Sequence, residues 1–190
     1  MKTAFFLWFI AIPAAAAPTW KANGSHSIEL SDDHQVLVRF LVDPAPRDPH
    51  FEILATPDGR NTVWVGPPDH VWHHGMGFSW KYLNGVNFWE TDPKTGEQPG
   101  LNRIEDASIE SNPDDETAII RYRQLAFPDA DGPAVLEDAV EIEIRRPSGI
   151  HGPQVTWRIT TTALDLRDVV LFSPGSSATT PARASETRCA

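Results

Sequence analysis

The chain has a single cysteine in 190 residues, Cys189, next to the C-terminal end. No internal disulfide is available, so core burial or a bound metal has to hold the fold together. After the N-terminal segment no apolar run is long enough to cross a bilayer as a helix. No stretch keeps a 3.6-residue hydrophobic period over three turns, which argues against a helical fold, and no internal repeat is visible. Basic residues are scarce: 16 Lys and Arg stand against 26 Asp and Glu, for a formal charge of −10. Such a chain repels phosphate backbones and excludes nucleic acid as a natural partner.

The N-terminus carries Lys2, then an apolar run over residues 4–12, Pro13, and small residues through Ala17. That pattern predicts a secretory signal peptide over residues 1–16, cleaved after Ala16, and a secreted or periplasmic protein with no membrane span after the signal. Residues 17–173 are enough for one domain with a real core. The tail over residues 174–190 contains no apolar residue larger than alanine apart from Cys189, so it is expected to lack order. The apolar run over residues 169–172 ends abruptly against it, as a strand cut off from its continuation.

What the chain does contain is period-2 alternation. Residues 35–42, 51–54, 62–65, 118–124, 135–145 and 155–160 read as strands, and Pro57-Asp58-Gly59 reads as a turn between two of them. In the clearest case Val140, Ile142 and Ile144 face one way, with Glu141, Glu143 and Arg145 on the other. Half-buried antiparallel strands produce this pattern, and 17 prolines and 12 glycines punctuate them closely. The fold class is therefore all-β, an antiparallel β-sandwich of about ten strands.

One stretch is chemically loaded. Residues 67–90 hold three histidines, three tryptophans and three glycines. Pro67 and Pro68 predict a loop through Gly77, followed by strand at Phe78, Ser79 and Trp80, a hairpin turn at Asn84-Gly85, and a return strand over residues 88–90. Three functional readings compete. His70, His73 and His74 supply the nitrogen ligands of a divalent metal such as zinc, although spacing alone fixes no ligand set. Alternatively one imidazole, oriented by Asp69, moves a proton on a sugar while Trp72, Trp80 and Trp89 stack on the ring and Asn84 contributes a polar contact. Or the same aromatics form a binding platform without catalysis. A structural role competes with all three, since tryptophans on strands most often fill a core. His26, His34, His50 and His151 are isolated and read as surface or turn residues.

The run Asp69-His70-Val71-Trp72-His73-His74-Gly75-Met76-Gly77-Phe78-Ser79-Trp80, followed by Asn84-Gly85-Val86-Asn87-Phe88-Trp89, resembles the signature of a bacterial family labelled "methane oxygenase PmoA". Phe51-Glu52-Ile53-Leu54-Ala55-Thr56-Pro57-Asp58-Gly59 resembles that family's strand and turn, and the likeness runs from about Ile28 to Phe172. Methane oxidation is excluded, because a membrane monooxygenase subunit needs transmembrane helices that this chain lacks. The resemblance implies a secreted sandwich protein of polysaccharide-degrading bacteria, the first half of a fold akin to the galactose-mutarotase-like supersandwich. It also implies a carbohydrate or other small-molecule ligand. An enzyme of this kind would carry out acid–base chemistry on a sugar, as an epimerase, lyase or hydrolase. A binding module or an inactive truncated relative is the alternative.

Overall fold

The computed structural model describes residues 17–42, 48–90, 94–148, 151–164, 169–172, 180–181 and 185–189, with backbone alone from residue 170 onward. The expected signal peptide lies outside the described residues. Every described element of regular structure is a strand, and every pairing is antiparallel, as the alternation predicts.

The first sheet runs in sequence order through β1 (Thr19–Asn23), β2 (Ser27–Ser31), β3 (Val36–Leu41), β4 (His50–Leu54) and β5 (Met76–Gly77). A small sheet contains β6 (Tyr82–Leu83) and β7 (Val86–Asn87), joined to β12 (Val170–Phe172) and β13 (Thr180–Pro181). The second large sheet is a meander of β8 (Leu101–Glu110), β9 (Thr117–Phe127), β10 (Leu136–Arg145) and β11 (Gln154–Ala163), with β14 (Ser185–Cys189) at its edge. Residues 185–189 thus pair with β11 inside the segment for which the sequence predicts no order, while 173–179, 182–184 and 190 lie outside the described residues.

The large sheets pack face to face. Ile28, Leu30, Val38, Phe40 and Phe51 from one meet Ile120, Tyr122, Val140, Ile142 and Ile144 from the other. Phe40 and Phe51 meet edge to face at 4.7 Å, a geometry that adds about 1 kcal/mol beyond area burial. The opposite face of the meander is charged. Arg121 pairs with Glu110 and Glu141, and Arg123 with Glu105, Asp106 and Glu137. This division is the amphipathic alternation made visible: β9 buries every second residue from Ala118 to Ala126. A smaller core of Leu83, Phe88, Ala126, Leu136 and Val169 lies under the hairpin of β6 and β7.

Several local expectations need correcting. Residues 62–65 form no strand; Asn61 and Val65 make only isolated bridges, to Ala55 and His74. Phe78, Ser79 and Trp80 are irregular, and the return strand is Val86–Asn87 rather than 88–90. The hairpin turn itself is where the sequence places it: Asn84 and Gly85 adopt φ of 51° and 83°, the left-handed pair that a two-residue turn matched to strand twist requires. Of the strands that the alternation does not reveal, β1 and β8 sit at sheet edges, whereas β2 lies between β1 and β3.

Candidate functional site

Residues 65–75 leave the first sheet as a closed excursion. Val65 bridges His74, the Gly66 amide donates to the His73 carbonyl at 2.7 Å, and the Gly75 amide donates to Trp64 at 3.2 Å. Inside it, amide hydrogen bonds from His70 to Pro67 and from His73 to His70 make two successive turns. Consecutive prolines deny the segment a strand's hydrogen bonds, and Gly66 and Gly75 take the positive φ at which the chain reverses. Gly75 has a second reason to be glycine, since a Cβ there would run into the Phe51 carbonyl oxygen.

The excursion ends in β5, which pairs His50 with Gly77 and Phe51 with Met76. This register brings His50 to the histidine loop. A cavity of about 210 Å³ opens there, lined by Asp48, His50, Trp72, His73, His74 and Trp89, and by the residues from Gly75 to Ser79. The His50 and His74 rings lie 5.7 Å apart, and His73 stacks on Trp89 at 6.4 Å and 24°. Trp89 is 38% exposed, so part of its ring is available to a ligand.

His50 is 1% exposed, which overturns its reading as a surface or turn residue. Its Nδ1 lies 2.8 Å from the Asp48 carbonyl oxygen, and because a carbonyl only accepts, Nδ1 carries the hydrogen. Nε2 is buried without a protein partner. The Asp48 carboxylate accepts from Asn102 Nδ2 at 2.9 Å. Burial raises its pKa, opposed by hydrogen bonds from Asn102 and Ser79 and by the nearby His50.

The three histidines of the loaded stretch do not converge. His73 and His74 line the cavity, whereas His70 faces outward and pairs with Asp69 at 2.9 Å, both side chains largely exposed. Asp69 does orient an imidazole, but outside the cavity. Its carboxyl is held below the usual range by its own backbone amide and then by His70. Among the described residues no group of three or more His, Cys, Asp or Glu side chains is arranged to hold a metal ion. Of the aromatic candidates, Trp72 and Trp89 line the cavity. Asn84 sits in the exposed hairpin turn, and Trp80 belongs to a neighbouring space.

That second cavity, about 230 Å³, is lined by Trp80, Trp157, Ile159 and Thr161, and it shares Met76, Gly77 and Phe78 with the first. Behind it lies Asp138, 1% exposed. Trp80 Nε1 donates to Asp138 Oδ2 at 3.0 Å, and the Thr161 hydroxyl donates to Oδ1. Burial raises the Asp138 pKa to about 6, against the lowering effect of those two hydrogen bonds. Neither Asp48, His50, Asp138 nor Trp157 was a sequence-based candidate. Asp138 alone left a signal: it occupies a position on the apolar face of β10, in register with Leu136 and Val140.

No curated protein and no solved structure matches the chain. Residues 27–187 match the model of a family of unknown function, a match that continues past Phe172, and the chain belongs to that family, DUF6807.

Proposed function

We propose that the first cavity binds a carbohydrate, or a small polyhydroxylated ligand of like chemistry, and that the protein acts outside the cytoplasm on glycans. One observation carries this reading: imidazoles of His50, His73 and His74 and the Asp48 carboxylate are set in one cavity with the indoles of Trp72 and Trp89. Sugars present hydroxyls that need acceptors and donors, and C–H faces that pack on aromatic rings. A partly exposed indole backed by a stacked imidazole meets the second requirement, and the imidazole nitrogens and the Asp48 carboxylate meet the first. The resemblance to the family labelled "methane oxygenase PmoA", and through it to half of a mutarotase-like supersandwich, favours the same ligand class by analogy.

If the protein turns its ligand over, His50 is the group best prepared to accept a proton. Its tautomer is set by the Asp48 carbonyl, leaving the Nε2 lone pair as acceptor. His74 lies beside it in the same cavity, the two ring centroids 5.7 Å apart. His70 and Asp69 take no part.

Calorimetric titration with methyl glycosides of common hexoses and pentoses tests the reading. At least one ligand is expected to bind, and Trp89→Ala to weaken it about tenfold or more, within the range for losing one stacking face. His70→Gln is expected to leave binding unchanged. Absence of binding by every glycoside overturns the carbohydrate assignment.

A further inference from the structure

The two cavities differ in chemistry although they share a wall. The first is edged by three imidazoles and a carboxylate. The second has one polar side chain in its lining that is not an indole, Thr161, and that hydroxyl is already committed to Asp138. The rest of its surface is Met76, Phe78, Trp80, Trp157 and Ile159, around the Gly77 backbone. Its aromatic walls are held still. The buried Asp138 carboxylate fixes Trp80 through Nε1, Phe78 packs edge-on against Trp80 at 5.3 Å, and Trp157 is wedged against Phe40 and Phe51 at 6.1 and 6.2 Å. Rigid indoles lose little conformational entropy when a flat group packs on them, so such a space is prepared for one.

We infer that the second cavity is a subsite for a planar, apolar substituent joined to the sugar held in the first, so that the ligand is an aryl glycoside rather than a free monosaccharide. The inference rests on the carbohydrate reading above. Adjacency of the two spaces, which share Met76, Gly77 and Phe78 in their linings, favours one ligand reaching across Gly77 over two independent ligands. Gly77 is the exposed crossing point between them. The absence of any charge from the second lining decides for an apolar group over a second sugar, whose hydroxyls would lose their partners there. Asp138 is a positioning residue in this arrangement. It touches Trp80 and Thr161 and acts on the ligand only through them.

Matched phenyl and methyl glycosides of glucose, galactose and xylose, titrated into the full chain, test this. A phenyl glycoside is expected to bind at least tenfold more tightly than its methyl counterpart, and Trp157→Ala to reduce that ratio to near one. Because Trp157 also packs in the core, the wild-type protein supplies an independent readout. The indole N–H resonances of Trp80 and Trp157 should move with the phenyl glycoside and stay still with the methyl glycoside. Equal affinity for the two glycosides, with both indoles silent, overturns the subsite while leaving the sugar cavity standing. If neither glycoside binds, the carbohydrate reading falls and the subsite falls with it. If phenol alone moves both indoles while no glycoside binds, the cavity is a bare apolar site and the aryl glycoside assignment is overturned.

Discussion

Asp138 makes the stability of this protein depend on pH in a direction opposite to that of a paired surface carboxylate. In the unfolded chain its carboxyl titrates at the ordinary value of 3.8, whereas in the fold burial lifts it to about 6. The folded state therefore favours the neutral acid. Its contribution is most favourable below 3.8, worsens as pH rises from there to about 6, and is level above. The gap between the two values corresponds to about 3 kcal/mol at 1.36 kcal/mol per pKa unit, and about 2.5 kcal/mol of it is crossed between pH 4 and pH 7.5. Asp138→Asn removes the titration. The amide sets an N–H group against the Trp80 or Thr161 donor, a penalty of about 1–3 kcal/mol that is the same at both pH values and cancels in the comparison. Urea unfolding followed by tryptophan fluorescence, at pH 4 and pH 7.5 on both proteins, measures the effect. Relative to the variant, the wild type should lose about 2.5 kcal/mol at the higher pH. A pH dependence identical in the two proteins would falsify the assignment of Asp138 as a buried carboxyl whose pKa is lifted to about 6.

Gly75→Ala places a Cβ against the Phe51 carbonyl at a left-handed backbone position, so it should destabilise the fold by about 2 kcal/mol or more and abolish ligand binding, read by urea unfolding and calorimetry. Gly85→Ala sits at the same kind of φ but in open space, so unfolding should show a loss of only about 1 kcal/mol with binding intact. Ile142→Ala, fully buried between the large sheets, should lower the unfolding free energy by about 2–5 kcal/mol; a loss below 1 kcal/mol would contradict its place in the core. His50→Gln should eliminate turnover of any glycoside the protein processes, as followed by product release, while His70→Gln retains it.

The sandwich was legible because burial of one sheet face writes a period of two into the residues. In β9, β10 and β11 the alternation is nearly unbroken, and the expected strands lie within a few residues of the observed ones. β8 escaped because at the edge of its sheet it buries little, and it is broken by a bulge after Glu105 in which Asp106 takes a φ of 51°. The Asn84-Gly85 hairpin was read directly, since only a few residues tolerate that pair of dihedrals. The candidate site was legible in part. His73, His74, Trp72 and Trp89 come from one local segment. His50 enters through the pairing of β4 with β5, a contact across 27 positions that no local pattern encodes. Spacing groups His70 with its neighbours, but the turn closed by its amide on Pro67 leaves its ring in solvent. Asp138 was readable as the one carboxyl on an apolar face, a signal of cost without an evident compensation until Trp80 and Thr161 are seen around it.

The proposed sugar site lies between His50, His73, His74, Trp72 and Trp89. Imidazole and indole resonances recorded during titration with a glycoside that binds test it most directly. Saturable shifts at His50, His74 and the Trp89 indole, with the exposed His26 and His34 unmoved, are the predicted result. Binding that leaves the first set still and moves resonances elsewhere in the protein would contradict it.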